Sequence, residues 1–235
     1  MDVNKTIAIV PVSAKPYHAG HDGLVRIASK ENDEVHLLVS ITDRSRPGEM
    51  KIDGGTMFGI WKDYIENTLP TNVKDFINYT FTAPVTKVYE ELKNAELQGS
   101  QDIYTIYSDV DDIRKYTDEN LKAAAPIMFA KEQILLRGIK RSETVNVSGT
   151  KMRELLEDGL NDEEYDEAET EDDEYDEAET EDEAEFRARA RAEFISLLPS
   201  SIQQPGEDII DGVTNDIVGE SILRKYIRGS FKFVL

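Results

Sequence analysis

Residues 7–28 read IAIVPVSAKPYHAGHDGLVRIA, and this stretch decides the fold. It opens with an apolar, β-branched run that is typical of a buried strand, and Pro11 then lacks the N–H that a strand ladder needs. From Asp22 onward the apolar residues follow helical spacing. A strand, a tight turn and a helix within about twenty residues are typical of the start of a nucleotide-binding α/β unit.

The turn in this stretch carries two imidazoles, His18 and His21, and one lysine, Lys15. At positions i and i+3 the histidines lie on one side of the first helical turn, where they can bind a phosphate together with the free N–H groups of the helix N-terminus. The alternative is that one histidine caps the helix and the other packs in the core. Because both flank Gly20 after a strand and a proline, we favour phosphate binding.

A second polar turn, SGTKMR at residues 148–153, comes before another amphipathic helix. Ser148 or Thr150 could simply cap that helix. The same arrangement also brings two hydroxyls, free N–H groups and the cations of Lys151 and Arg153 to the place where a phosphate would lie. Like the first turn, this one directly follows a predicted strand.

The two turns together resemble the motifs of one family. KPYHAGH at residues 15–21 resembles the HxGH signature of the nucleotidylyltransferase superfamily, and SGTKMR resembles its SxTxxR motif, which holds the β- and γ-phosphates of the nucleotide. The resemblance covers about residues 5–160. Val12, Ser13 and Ala14 stand where the family usually has a glycine and an aromatic residue.

This resemblance implies transfer of a nucleoside monophosphate, with AMP favoured over CMP, from a nucleoside triphosphate to a small phosphorylated acceptor, with release of pyrophosphate. SGTKMR and FISLLP at residues 194–199 look nearest to the nicotinamide-nucleotide adenylyltransferases, so nicotinamide mononucleotide is the first candidate acceptor. Mg²⁺ is expected, because it offsets the triphosphate charge. The catalytic residues implied are His18, His21 and Lys15. The nucleotide-binding residues implied are Ser13, Ala14, Gly20, Ser148, Thr150 and Arg153.

A non-catalytic protein that reuses this fold for binding or assembly is the competing hypothesis. The altered lead-in, an acidic duplication and an apolar C-terminus favour it, whereas two histidines together with SxTxxR favour an enzyme. A dehydrogenase or a P-loop kinase is disfavoured because the chain has neither GxGxxG nor the Walker lysine motif.

Further apolar runs predict strands that alternate with helices along the chain. These strands are predicted at residues 35–41, 76–82, 102–107 and 144–147. The alternation predicts an α/β fold, a Rossmann-like parallel five-stranded sheet with helices on both faces. Residues 121–136 fit either a helix broken at Pro126 or a helix followed by a short strand.

The loops after parallel strands line the ligand crevice of such a sheet. Four polar side chains in these loops are therefore weaker candidates for substrate binding: Arg44, Arg46, Ser108 and Asp109. Solvated loop arginines explain the first two equally well. Asp109, Asp111 and Asp112 could hold a divalent ion or cap the helix that follows, so the metal-ligating residues stay open.

The formal net charge of −21 comes mainly from one segment. Residues 162–185 hold 17 acidic residues and no basic one, and EYDEAETED occurs there twice, whereas the rest of the chain has 31 acidic against 27 basic residues. We therefore divide the chain into a nucleotidylyltransferase-like α/β domain (1–160), an acidic duplicated insertion (161–185) and a C-terminal helical extension (186–235).

Composition also bears on partners and location. An acidic chain repels nucleic acid, and no stretch approaches the length of a bilayer span, so we expect neither partner. The chain has no cysteine, and its short N-terminal apolar run does not predict a signal peptide, so we expect a cytoplasmic protein. The apolar residues 231–235 make the C-terminal extension the candidate surface for a homo-oligomer or a protein partner.

Overall fold

The structure is a computed structural model, and it describes residues 4–13, 15–43, 52–158 and 181–214. Its strands are β1 (Thr6–Val12), β2 (Glu34–Ser40), β3 (Ile77–Thr80), β4 (Ile103–Asp109) and β5 (Ile134–Ile139). All neighbouring pairs are parallel, and the order across the sheet is β3-β2-β1-β4-β5. The predicted α/β fold with a parallel five-stranded sheet is confirmed.

Helices connect the strands and cover the sheet. They are α1 (Ala19–Glu31), α2 (Gly54–Ile60), α3 (Thr71–Lys74), α4 (Pro84–Leu97), α5 (Asp118–Ala124), α6 (Pro126–Ala130), α7 (Gly149–Asp158), α8 (Glu181–Leu197) and α9 (Gly206–Thr214). The helical segment that begins at Gly54 is α-helical only to Ile60. A π-helical turn, Trp61–Ile65, and a 3₁₀ turn, Glu66–Thr68, complete it.

Apolar side chains fill both faces of the sheet, because successive residues of a strand point to opposite sides. On one face, Val10 and Val12 of β1 share a core with side chains of α1, α2, α7, α8 and α9. On the other face, Ile7 and Ile9 share a core with side chains of α4, α5 and α6. Described helices of the predicted C-terminal extension therefore contribute to the same core as the sheet.

The strand predicted at residues 144–147 is wrong. This stretch is a loop in which the Val147 N–H donates to the Val145 carbonyl (2.9 Å), and 51% of Val145 is exposed. The edge of the sheet is taken instead by β5, whose first half lies within residues 121–136. Both alternatives for that region hold in part, because α5 and α6 meet at Pro126 and the strand follows.

Several sequence predictions fall outside the described residues. They concern Ala14, Arg44, Arg46, most of the acidic duplication and the apolar C-terminal residues 231–235. Within the described ranges, none of the helices is long and apolar enough to cross a membrane.

Candidate functional site

The two central strands separate toward their carboxyl ends. β1 and β4 pair from Thr6–Ile103 to Ile9–Ile106. Further along, β1 pairs with β2 on one side and β4 pairs with β5 on the other. The strand order reverses at this point, and in open α/β sheets such a switch point opens a crevice in which ligands bind.

Two adjoining clefts occupy this crevice, and His21 lines both of them. Their volumes are about 320 Å³ and about 290 Å³. The predicted site residues in the first cleft are Ser13, Lys15, His21, Ser108, Asp109, Thr150 and Arg153. Those in the second are His18, Gly20, His21, Asp109 and Ser148. The structure thus brings every described residue of the predicted site to one crevice.

His18 is the N-cap residue of α1, and only 5% of it is exposed. Its backbone is extended, and its Nδ1 accepts a hydrogen bond from the N–H of His21 at 3.4 Å. The capping role that the sequence left open is therefore present. The same turn also stacks the two imidazoles, with ring centroids 3.8 Å apart and planes inclined by 26°.

Burial keeps both imidazoles neutral at pH 7. It lowers the pKa of His18 to about 4, with a contribution from the nearby guanidinium groups of Arg141 and Arg153. Burial, and then the neighbouring His18, hold the pKa of His21 well below its usual value. Without a charge of their own, the rings can serve as N–H donors to an anion but not as fixed cations.

Hydrogen bonds indicate which ring nitrogen carries the proton. Because Nδ1 of His18 accepts from a backbone N–H, the proton of this neutral ring lies on Nε2. Nδ1 of His21 is buried and has no hydrogen-bond partner among the described residues. The edge of His21 that carries Nε2 is therefore the one left to face the cleft.

Arg153 joins the two sequence motifs directly. This residue of α7 is 3% exposed, and its Nη1 donates to the backbone carbonyl of Lys15, 138 positions away, at 3.2 Å. Its Nη2 donates to the hydroxyl of Thr150 at 3.0 Å. Lys15 is also buried, at 4% exposed. Two cations and a hydroxyl are thus held at the cleft beside neutral imidazoles, which is an arrangement suited to a phosphate.

Two glycines of α1 let the loop before α7 lie against the helix N-terminus. A Cβ on Gly20 would lie 3.0 Å from Nδ1 of His18 and 3.0 Å from the Val145 carbonyl. A Cβ on Gly23 would lie 3.0 Å from Cβ of Thr144. We predicted that the second motif directly follows a strand, and this prediction is wrong, because residues 144–147 form a loop. Its position depends on this contact with α1.

Other predicted residues have ordinary structural partners. The hydroxyl of Ser148 accepts from the Lys151 N–H (3.1 Å), which is the expected cap. The ammonium of Lys151 pairs with Glu193 of α8 (3.3 Å). Asp109 accepts from Nε of Arg141 (3.3 Å), so Arg141 is a further cation at the second cleft that the sequence did not indicate.

A buried network beneath the histidines was also missed. The Tyr17 hydroxyl donates to Asp22 (3.3 Å), and Asp22 accepts from Nε of Arg26 (2.6 Å). The Tyr17 ring stacks on His21, with centroids 5.8 Å apart and planes inclined by 13°. The i, i+4 spacing of Asp22 and Arg26 was a usable signal for the ion pair. Nothing in the sequence indicated the stack.

A larger cleft, of about 490 Å³, lies elsewhere, between α4 and the edge strand β3. It contains His36, whose Nδ1 pairs with Glu91 and whose Nε2 lies 3.6 Å from Glu34. Two carboxylates beside the imidazole make this cleft a poor place for a phosphate. Size alone therefore does not select the candidate site.

Comparison of the chain with protein-family models gives no match, and comparison with curated proteins gives none either. The function is therefore inferred from the residues of the crevice.

Proposed function

We propose that the protein is a nucleotidyltransferase. It transfers a nucleoside monophosphate, with AMP favoured over CMP, from a nucleoside triphosphate to a small phosphorylated acceptor. The observation that supports this proposal is the direct contact between the two motifs, in which Arg153 reaches the backbone of Lys15 beside the stacked histidines. The sequence places these residues far apart, and a phosphate-binding site needs them together.

The reaction needs no nucleophile from the protein. A phosphate oxygen of the acceptor attacks the α-phosphorus in line, and a new P–O bond forms. The bond from the α-phosphorus to the bridging oxygen breaks, and the electron pair leaves with pyrophosphate. Catalysis then consists of positioning both substrates and stabilising the charge that moves onto the phosphate oxygens.

His18 and His21 would donate their Nε2–H groups to the oxygens of the α-phosphate. Because both rings are neutral and stacked on each other, they are placed before the substrate arrives and need not first bind protons. Preorganised donors in a dry site stabilise a developing anion more than water does. The N–H groups in the first turn of α1 that have no partner within the helix would also donate to the phosphate.

Lys15, Thr150 and Arg153 would hold the β- and γ-phosphates and the departing pyrophosphate. Arg153 is suited to this role because its guanidinium is already fixed by two hydrogen bonds. A fixed guanidinium loses little side-chain entropy when it binds an anion.

The described residues do not offer a protein-built Mg²⁺ site. They contain no group of three or more histidine or carboxylate side chains that could hold a metal ion. Asp109 and Asp112 line the first cleft, but Asp109 bonds to Arg141 and Asp112 to Lys115 (2.6 Å). We expect any Mg²⁺ to enter with the triphosphate as part of the substrate. This proposal is compatible with a reaction in the cytoplasm, where nucleoside triphosphates are available.

The proposal is tested by incubating the protein with each triphosphate and candidate phosphorylated acceptors and measuring pyrophosphate. Nicotinamide mononucleotide is the first acceptor to try. We expect acceptor-dependent pyrophosphate release with ATP that is lost in His18→Ala and His21→Ala and kept in His36→Ala. No release by the parent protein with any acceptor would favour the competing hypothesis of a non-catalytic binding or assembly protein.

A further inference from the structure

The aromatic side chains beside the site form a continuous column. Trp61, which is fully buried at the start of the π-helical turn, contacts Tyr17 with ring centroids 4.8 Å apart. Tyr17 stacks on His21, and His21 stacks on His18. The column therefore runs from the core to the boundary between the two clefts.

Tyr17 is fixed on three sides within this column. Its ring lies between Trp61 and His21, and only 1% of the residue is exposed. Its hydroxyl donates to Asp22, which is held in turn by Arg26. Burial raises the pKa of the Tyr17 phenol well above its usual value, so the phenol keeps the proton that it donates to Asp22.

His21 has no comparable anchor of its own. Its Nδ1 is buried without a hydrogen-bond partner among the described residues, so no bond to this atom fixes the ring. Histidines that bind ligands usually have their second ring nitrogen held by a carboxylate or a carbonyl. Here the stack of the Tyr17 phenol on the imidazole would orient the ring in place of such a hydrogen bond.

We propose that Tyr17 is a positioning residue, which through its stack holds the imidazole of His21 with Nε2 toward the cleft. This inference rests on the proposed function for its consequence in catalysis. Its structural content, the orientation and tautomer of His21, can be measured without any substrate.

The experiment compares Tyr17→Leu, Tyr17→Phe and a matched control, Tyr79→Leu. Tyr79 also contacts Trp61, edge-on with centroids 6.3 Å apart, and is not among the residues that line the two clefts. The ¹⁵N shifts of the His21 ring in the ligand-free protein report its tautomer. Calorimetry with inorganic tripolyphosphate as the probe, whose three phosphates can reach the α-phosphate position beside His21 as well as the β and γ positions, reports how tightly the site binds phosphate.

We expect the ring shifts of a single Nε2–H tautomer in the parent protein and averaged shifts in Tyr17→Leu. The tripolyphosphate affinity of Tyr17→Leu should fall on the order of tenfold, because small displacements of a binding group are costly. Tyr17→Phe keeps the ring and loses only the bond to Asp22, so its loss should be smaller. Tyr79→Leu should match the parent in both measurements.

Unchanged His21 shifts in a folded Tyr17→Leu protein would overturn the positioning role, as would equal changes in Tyr79→Leu. If Tyr17→Leu does not fold, Asp22→Ala decides, because removing the anchor of the phenol should move the His21 shifts in the same direction and unchanged shifts contradict the inference. A parent protein that does not bind tripolyphosphate would count against the proposed function, while the ring shifts still test the role of Tyr17.

Discussion

His36 lies in β2 of the sheet and the His18–His21 pair lies at the start of α1, and the charges around them are opposite. The pair stands at the switch point between β1 and β4, with Arg141 and Arg153 nearby. His36 lies on β2 in a larger cleft, where it stacks on Phe76 and pairs with Glu91. Both regions offer an imidazole beside a cavity.

The difference lies in the charges that surround each ring. Burial lowers the pKa of His18 to about 4, and the arginines act in the same direction. Burial also acts to lower the pKa of His36, but the bond to Glu91 and the charges of Glu91 and Glu34 raise it above its usual value. A neutral ring among cations can receive a phosphate. A ring already held by carboxylates is shifted toward its charged form and offers a phosphate only repulsion from its partners.

The largest expected effect is on turnover, which should depend on the His18–His21 pair and not on His36. His18→Ala or His21→Ala should lower turnover by about 10²- to 10³-fold, as loss of one transition-state donor does elsewhere, while circular dichroism shows a folded protein. His36→Ala is the matched control and should turn over like the parent. Equal turnover in all three variants would remove the distinction between the regions.

A second prediction concerns stability and pH. The pKa of His18 is about 4 in the folded protein against 6.5 when unfolded, so the unfolded state binds more protons between these values. The free energy of unfolding should therefore fall as the pH drops from 6.5 to 4, by about 3 kcal/mol from this group at 1.36 kcal/mol per unit. Urea unfolding of His18→Asn, which keeps an N-cap side chain, should show a smaller fall.

A third prediction concerns the contact between Gly20 of α1 and the loop that precedes the second motif. Gly20→Ala would put a methyl group 3.0 Å from both Nδ1 of His18 and the Val145 carbonyl. We expect a loss of about 1–3 kcal/mol in stability, since the loop must shift. Gly212→Ala in α9 is the control, because its Cβ would lie 3.6 Å from Ile60, an ordinary contact. Thermal unfolding and pyrophosphate release would measure both variants, and equal behaviour would show that the loop position is not critical.

The smallest expected effect is the pH dependence that His36 gives to the free energy of unfolding, and its sign is opposite to that expected for His18. Because its folded pKa is raised, the stability it contributes is complete below pH 6.5 and is lost as the pH rises through the folded pKa. His36→Gln should remove this dependence and leave turnover unchanged. Urea midpoints at several pH values from 5.5 upward would measure it, and a parent protein whose His36-dependent stability rises with pH would contradict the assignment.

The sequence was sufficient where burial and local patterning agree. The apolar runs of β1, β2 and β4 lie in the middle of the sheet, and burial makes such runs continuous. The edge was harder to predict. β5 exposes Leu135 and Leu136, by 46% and 42%, and its residues lie beside a helical pattern. Thr144 and Val145 have strand propensity, but tertiary context overrides it here, because this stretch packs against the start of α1 instead of pairing with β5.

The site was predictable to the same degree. Paired histidines and SGTKMR identified the residues that meet in the crevice, because each motif has a local pattern. Arg141 and Tyr17 could not be found this way, since their roles come from contacts that no spacing encodes. The bond from Arg153 to Lys15 likewise exists only once the chain has folded.

The position of the loop at residues 140–148 determines which part of the site is lost first when the protein partly unfolds. It leaves an edge strand and rests on two glycines of a helix distant in sequence, so half of the crevice depends on contacts at the periphery of the sheet. Partial unfolding that frees β5 would release this half and leave the imidazoles in place. In native-state hydrogen exchange, amides of α7 should then exchange before those of β1. The protein could in this way lose anion binding while its core stays folded.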